Sequence, residues 1–117
     1  MTENQIKNHI RKSFKNLTNT ELLGILYFGS RVRQEVSEDS DYDIGIIYRG
    51  KTPHFEVPEN WDLFLWSEKK WLKGFALQVE IARYAKILYD PKRIIRKQFK
   101  MIHEKILPHW LTYIKKF

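Results

Sequence analysis

Residues 24–48 read GILYFGSRVRQEVSEDSDYDIGIIY, two strand-like segments joined by a polar one. Gly24–Phe28 is rich in strand-forming residues and is followed by Gly29 and Ser30, which predicts a buried strand that ends in a turn. Tyr42–Tyr48 predicts a second strand. Because a serine oxygen can accept hydrogen bonds from the free N–H groups of a helix's first turn, Ser30 is expected to begin a short helix between the strands.

The rest of the chain alternates helical and strand-like patterns around this unit. Apolar residues at a spacing of three or four (Ile6, Ile10, Phe14 and Leu17) predict an amphipathic N-terminal helix. We further predict a loop over residues 49–60, a strand over Asp62–Trp66, helices over Glu68–Lys73 (capped by Ser67) and Leu77–Tyr84, and a strand over Lys86–Tyr89. A last helix should be capped by Asp90, have Pro91 at its first position, and end or kink at Pro108.

These elements predict an α/β (α+β) fold in which helices flank a small mixed β-sheet. The 117 residues fit one domain over 1–117, with a core at about 20–90 and a C-terminal helix at 91–107. No apolar run approaches the roughly 20 residues that cross a bilayer, and the polar N-terminus lacks the apolar stretch of a signal peptide. With no cysteine for disulfides or thiolate metal sites, a cytoplasmic protein is expected.

The net charge of +7 is concentrated at the C-terminal end. Basic and acidic residues balance over 1–90, whereas 91–117 contains one acid, Glu104, and eight basic residues. These are Lys92, Arg93, Arg96, Lys97, Lys100, Lys105, Lys115 and Lys116. The helix should bury an apolar stripe of Ile95, Phe99, Ile102 and Ile106 and leave the charges outward. Such a charged face indicates either an acidic or polyanionic partner or an ordinary solvated surface.

Four acids lie within six residues, at Glu38, Asp39, Asp41 and Asp43. Asp41 and Asp43 are two apart at the start of a predicted strand, so their side chains point to one face, opposite to Ile44. Neighbouring carboxylates repel each other unless a cation or a shared proton relieves the repulsion. Mg²⁺ relieves it in many proteins, because it is held by one or two carboxylates plus substrate phosphates.

Asp62 begins the next predicted strand. If that strand neighbours the second one, Asp62 completes a site for two metal ions about 3.5–4 Å apart. An Asp-x-Asp pair alone is more often a solvated turn. An EF-hand that begins at Asp39 is excluded, because Ile44 stands where that loop needs glycine and Gly50 where it needs glutamate.

Gly29 and Ser30 follow a strand and open a predicted helix, so backbone N–H groups and the positive end of the helix dipole face an anion there. Ser30 adds a hydroxyl group, and Arg31 and Arg33 lie within the first turn. A Gly-Ser pair by itself is usually just a turn. Together with paired carboxylates on the following strand, it indicates a site for a triphosphate and a metal ion.

Gly29-Ser-Arg-Val-Arg33 followed by Ser40-Asp-Tyr-Asp-Ile44 resembles the signature of the DNA polymerase β-like nucleotidyltransferase superfamily. The small size and the Trp61-Asp62-Leu63 and Ile87-Leu-Tyr-Asp90 segments resemble its minimal members, and the likeness covers about residues 20–90. The resemblance implies the palm fold and a site in which Gly29 and Ser30, with Arg31 or Arg33, bind the phosphates. It also implies that Asp41 and Asp43 bind two Mg²⁺ ions, which Mn²⁺ can replace. Asp62 would be the third catalytic and metal-binding carboxylate.

The resemblance also implies a reaction, the transfer of a nucleoside monophosphate (AMP from ATP, in our expectation) to an acceptor hydroxyl with release of pyrophosphate. Minimal members often act as antitoxins that adenylylate and bind a helical HEPN-type ribonuclease, and the basic helix would then dock an acidic surface of that partner. The alternatives are an RNA or small-molecule acceptor, and a catalytically silent binding module on the same fold. A silent module has no need to keep Ser30, Asp41, Asp43 and Asp62 together.

Overall fold

The computed structural model of the protein describes residues 2–29 and 42–109. The elements in these ranges are helix α1 (Glu3–Lys15), strands β1 (Thr20–Phe28), β2 (Tyr42–Gly50) and β3 (Trp61–Ser67), helices α2 (Glu68–Lys73) and α3 (Ala76–Tyr84), strand β4 (Lys86–Tyr89) and helix α4 (Ile94–Met101). A π-helical turn over Ile102–Ile106 continues α4. The helix predicted to begin at Ser30 lies outside the described residues.

The four strands form one sheet in the order β3-β2-β1-β4. Strand β1 is antiparallel to both β2 and β4, whereas β2 and β3 are parallel. The predicted fold class, a mixed sheet flanked by helices, is therefore confirmed.

Parallel alignment of β2 and β3 depends on the loop at residues 51–60, which returns the chain to the start of β2. Parallel neighbours usually need a connection of about a dozen residues or more, often a helix. Here the loop packs against α1: the rings of Phe55 and Phe14 are 5.5 Å apart, and the ring nitrogen Nε2 of His9 lies 3.0 Å from the carbonyl oxygen of Glu56. These contacts anchor the loop that places the two strands in the same direction.

Alternating side chains give the sheet two buried faces. On one face, β2 residues Ile44 and Ile46 pack with α1, whose buried stripe is Ile6, Ile10 and Phe14, as predicted. On the other face, Ile47 packs in a cluster that includes residues of α2, α3 and α4. Asp43 and Ile47 share strand parity, so Asp43 belongs to this second face, against which the helices that follow β3 pack.

The last helix begins later than predicted. Pro91 lies in a turn and α4 starts at Ile94, after Arg93 in the left-handed conformation (φ 59°). The Asp90 carboxylate nevertheless accepts hydrogen bonds from the backbone N–H groups of Ile95 (3.2 Å) and Arg96 (3.0 Å). It thus satisfies the free N–H groups of the first turn from a more distant position than an ordinary cap.

Pro108 does not end the helical segment, because helical backbone continues from Leu107 to His109. A proline clashes with the carbonyl four residues earlier in a regular α-helix. The π-turn directly before it widens the hydrogen-bonding pattern and relieves that clash.

The burial of the C-terminal helix follows its apolar stripe. Ile95, Phe99 and Ile102 are buried and Ile106 is partly buried, as predicted. Its cations Arg93, Arg96, Lys97 and Lys100 are exposed, also as predicted. Among residues 2–29 and 42–109, no helix has the length and apolar character that a bilayer crossing requires.

Candidate active site

Asp43 and Asp62 are register partners on the parallel strands β2 and β3. Neighbouring strands lie about 4.8 Å apart, and register partners point to the same face of the sheet. Asp43 is half-buried and Asp62 is exposed. The strand adjacency on which the sequence prediction depended is therefore present, and it brings two of the three predicted carboxylates side by side.

Gly29 adjoins Asp43 from the other side. Phe28, the last residue of β1, is the register partner of Asp43, so the turn that follows β1 passes the carboxylate. Gly29 has φ 88°, and a Cβ atom built on it would overlap the Asp43 carboxylate oxygen and lie 2.7 Å from its Cγ. A glycine is required here both for the backbone conformation and for the close approach.

The remaining predicted site residues are Ser30, Arg31, Arg33 and Asp41, and they lie outside the described residues. Strand β2 begins at Tyr42, directly after Asp41. The described part of the site therefore consists of one phosphate-turn residue and two carboxylates.

A cleft of about 330 Å³ opens beside this group. Its described lining is formed by Phe28, Gly29, Asp43 and Phe64 from the sheet end and by Leu77, Glu80, Ile81 and Tyr84 from α3. No α3 residue was among the site residues predicted from the sequence. The only local signal for them is that Leu77 and Tyr84 are large apolar residues on the solvent side of an amphipathic helix.

Charged residues at the opposite end of the sheet form a separate group. Arg49 in β2 donates hydrogen bonds to Glu68 through Nε (2.9 Å) and through a terminal nitrogen (2.7 Å), and it also pairs with Glu21. The hydrogen bond with Arg49 lowers the pKa of Glu68. This ion pair lies six residues along β2 from Asp43, so it supports the packing of α2 on the sheet and lies outside the candidate site.

Residues 8–105 match the family model described as polymerase beta, nucleotidyltransferase. The chain belongs to the polymerase beta nucleotidyltransferase family. The matched range includes Gly29, Asp43 and Asp62. A search of curated protein sequences gives no match to this chain.

Solved structures with the same fold come from toxin–antitoxin complexes. One is a chain of a toxin–antitoxin complex with AMP-PNP, with a TM-score of 0.55 and 15% identity over 99% of this chain and 98% of that one. Another is a chain of a complex between a tri-AMPylated Shewanella oneidensis HEPN toxin and an MNT antitoxin, with a TM-score of 0.52 and 15% identity over 98% and 94%. A mutant MntA–HpeT complex gives 0.52 and 14% over 99% and 98%. At these identities the likeness establishes the nucleotidyltransferase fold.

The donor atoms of the candidate site fit a hard divalent cation. Asp43 and Asp62 offer only carboxylate oxygens, which suit Mg²⁺ or Mn²⁺ and disfavour softer metals. Within residues 2–29 and 42–109, no group of three or more His, Cys, Asp or Glu side chains could hold a metal ion. A three-carboxylate site would therefore need Asp41 in addition to the two described acids.

Proposed function

We propose that the chain is a divalent-metal-dependent nucleotidyltransferase that transfers AMP from ATP to an acceptor hydroxyl group. The observation that carries the proposal is the position of Asp43, which is flanked by Asp62 on one side and by the Gly29 turn on the other. Two adjacent carboxylates repel each other and gain stability when a cation binds between them. A family member with such a pair beside a close backbone turn is well suited to hold a metal–triphosphate complex.

Each residue has a role in this proposal. Gly29 and Ser30 hold the β- and γ-phosphates through backbone N–H groups and the Ser30 hydroxyl, and Arg31 or Arg33 offsets the charge of the leaving pyrophosphate. Asp41, Asp43 and Asp62 hold two Mg²⁺ ions, which Mn²⁺ can replace. When bound, the metal ions would neutralise charge on the phosphates and increase the acidity of the acceptor.

The transfer conserves atoms and charge in a simple way. The acceptor oxygen forms a bond to the α-phosphorus, the bond from that phosphorus to the oxygen that bridges to the β-phosphate breaks, and pyrophosphate leaves. Asp62, which is exposed beside Asp43, accepts the proton of the acceptor hydroxyl in this proposal. Such a site increases the reaction rate by positioning the reactants and stabilising the charge of the transition state.

We further propose that the acceptor is a protein, a HEPN-type toxin that this chain neutralises as an antitoxin. The support is that a chain of similar fold occurs in a complex with a HEPN toxin, and that this toxin is tri-AMPylated. The exposed cations of α4 offer a surface for an acidic partner.

The test is incubation of the protein with ATP labelled at the α-phosphate, Mg²⁺ and a HEPN-type protein encoded beside it. We expect label on the partner and release of pyrophosphate, both lost without Mg²⁺ and in Asp43→Asn. The matched control is Glu59→Gln, which removes an exposed acid from the loop before β3. If ATP binds with Mg²⁺ but no acceptor becomes labelled, the chain is a silent nucleotide-binding module. If neither occurs, the proposal is wrong.

A further inference from the structure

The cleft beside Asp43 has an aromatic floor. Phe28 and Phe64 line it, with their ring centroids 5.2 Å apart. Behind them, Phe64 stacks on Trp66 at 6.0 Å with an interplanar angle of 22°. The mutually tilted rings of Phe28 and Phe64 thus give the cleft an apolar lining beside the Asp43 carboxylate.

The opposite wall is formed by α3, and it exposes apolar side chains to solvent. Leu77 and Tyr84 are 45% and 40% exposed, and both line the cleft. In the part of the chain that the structure describes, the other exposed large apolar side chain is Leu72, at 54%, which does not line it. Exposed apolar groups that line a cleft beside polar residues are typical of ligand sites.

We propose that this cleft binds the nucleobase of the donor triphosphate, between Phe64 on the sheet and Tyr84 on α3. This inference rests on the proposed function, because it takes the phosphates and metal to lie at Gly29 and Asp43. A base is joined to the α-phosphate by a single ribose, so its site must adjoin the metal-binding carboxylate. Gly29 and Asp43 line one part of the cleft and Leu77 and Tyr84 another, which matches that requirement.

The chemistry of the walls suits a planar heterocycle. Nucleobases have apolar faces that stack on aromatic rings and polar edges that need hydrogen-bonding partners. The volume of about 330 Å³ lies at the small end of the range for ligand pockets, which suits a single nucleobase rather than a larger ligand.

The rim of the cleft carries the group that would contact the polar edge. Glu80 lines the cleft and pairs with Arg83 at 3.7 Å, and the Arg83 guanidinium lies over the Tyr84 ring, 5.1 Å from its centroid. An ionised carboxylate only accepts hydrogen bonds, so it favours the exocyclic amino group of adenine or cytosine over the carbonyl group of uracil at the same edge. The cleft should therefore prefer ATP to UTP.

The test compares the binding of Mg²⁺-ATP with that of Mg²⁺ and inorganic triphosphate, which has no base. Tyr84→Ala should weaken ATP binding about tenfold, as expected for the loss of one stacking partner, and should leave triphosphate binding unchanged. Tyr84→Phe keeps the ring and should bind ATP as the unaltered protein does. Leu72→Ala is the control for removal of an exposed apolar side chain outside the cleft. In Glu80→Gln, the preference for ATP over UTP should shrink.

The outcomes separate this inference from the proposed function. Unchanged ATP binding in Tyr84→Ala overturns the inference. An equal loss of ATP and triphosphate binding also overturns it, because Tyr84 would then only support the fold. Unchanged nucleotide binding with weaker binding of a protein partner would assign Leu77 and Tyr84 to docking and also overturns it. If the unaltered protein binds neither ATP nor triphosphate with Mg²⁺, the proposed function itself fails.

Discussion

Gly29 lies so close to the carboxylate of Asp43 that a methyl group at position 29 would overlap it. The antiparallel register of β1 and β2 holds the turn after β1 in contact with the Asp43 carboxylate. The positions of the turn and the carboxylate therefore depend on each other. In the proposed function this contact places the phosphate-binding turn and the metal-binding acid next to each other. A change at either residue should disturb both functions.

Gly29→Ala tests this contact. The added methyl group would push the Asp43 carboxylate aside, and the positive φ would cost about 1–2 kcal/mol in backbone energy. We expect Mg²⁺-dependent ATP binding to fall by at least about tenfold, measured by titration calorimetry, together with a lower melting temperature. The loss of binding should exceed what the lower stability explains.

Gly74→Ala provides the matched control for that experiment. Gly74 also has a positive φ, of 85°, but an added Cβ would meet nothing nearer than Gln78 Oε1 at 3.5 Å. Both positions have a positive φ, but at Gly74 the overlap with a carboxylate is missing. If both variants lose stability but only Gly29→Ala loses metal-dependent binding, the contact with Asp43 is responsible; equal binding in the two variants would contradict the assignment.

Asn substitutions at the two carboxylates should have different effects. Asp43→Asn keeps the shape but removes a metal-binding charge next to the phosphates, so Mg²⁺ should no longer enhance ATP binding. Asp62→Asn should retain more ATP binding but lose transfer by at least about a hundredfold, because it removes the proposed proton acceptor. Calorimetry and the labelled-ATP assay measure the two effects, with Glu59→Gln as the control. Metal-enhanced binding that persists in Asp43→Asn would show that the ion lies elsewhere.

The sequence predicted most of the fold because its apolar patterns are strong. The bounds of α2 and β4 agree with the prediction, and the other strands extend it by a few residues at their ends. The predicted start of α4 was wrong. The preference of proline for the first helical position does not account for the turn at Pro91 or for the left-handed conformation of Arg93.

The candidate site was predictable only in part, for a topological reason. Local pattern puts Asp43 and Asp62 at the starts of two strands, but it does not say which way the strands run relative to each other. An antiparallel β3 would have put Asp62 at the Tyr48 end of β2. The loop contacts of Phe55 and Glu56 with α1 fix the parallel direction, and such long-range packing leaves no periodic signal in sequence. The position of α3 as a wall of the cleft likewise depends on long-range packing and could not be predicted from the sequence.

The ion pair between Arg49 and Glu68 predicts a specific pH dependence of stability. Because Arg49 lowers the pKa of Glu68 in the folded protein, the pair stabilises the fold at pH values above the unfolded pKa of Glu68. That stabilisation is lost as the pH falls through the lowered pKa that Glu68 has in the folded protein. Glu68→Gln should therefore lower the melting temperature slightly at pH 7 and by a smaller amount at pH 3. A Glu59→Gln control corrects for the general loss of one acid, and an equal decrease at both pH values would contradict the prediction.

The basic face of α4 gives the last prediction. We expect this face to dock a partner and to take no part in the chemical step, because its cations are exposed on the far side of the stripe that packs on the sheet. Replacing Arg96, Lys97 and Lys100 together with Glu should leave Mg²⁺-ATP affinity nearly unchanged. The same variant should bind the HEPN-type partner, or a single-stranded RNA, more weakly, and the difference should shrink at high salt, since exposed charges are screened beyond about 8–10 Å. A variant with Lys12, Lys15 and Lys51 replaced with Glu changes the total charge by the same amount at other exposed positions. If both triple variants lose the partner equally, total charge and not this face is responsible; if the α4 variant loses ATP binding, the face belongs to the active site.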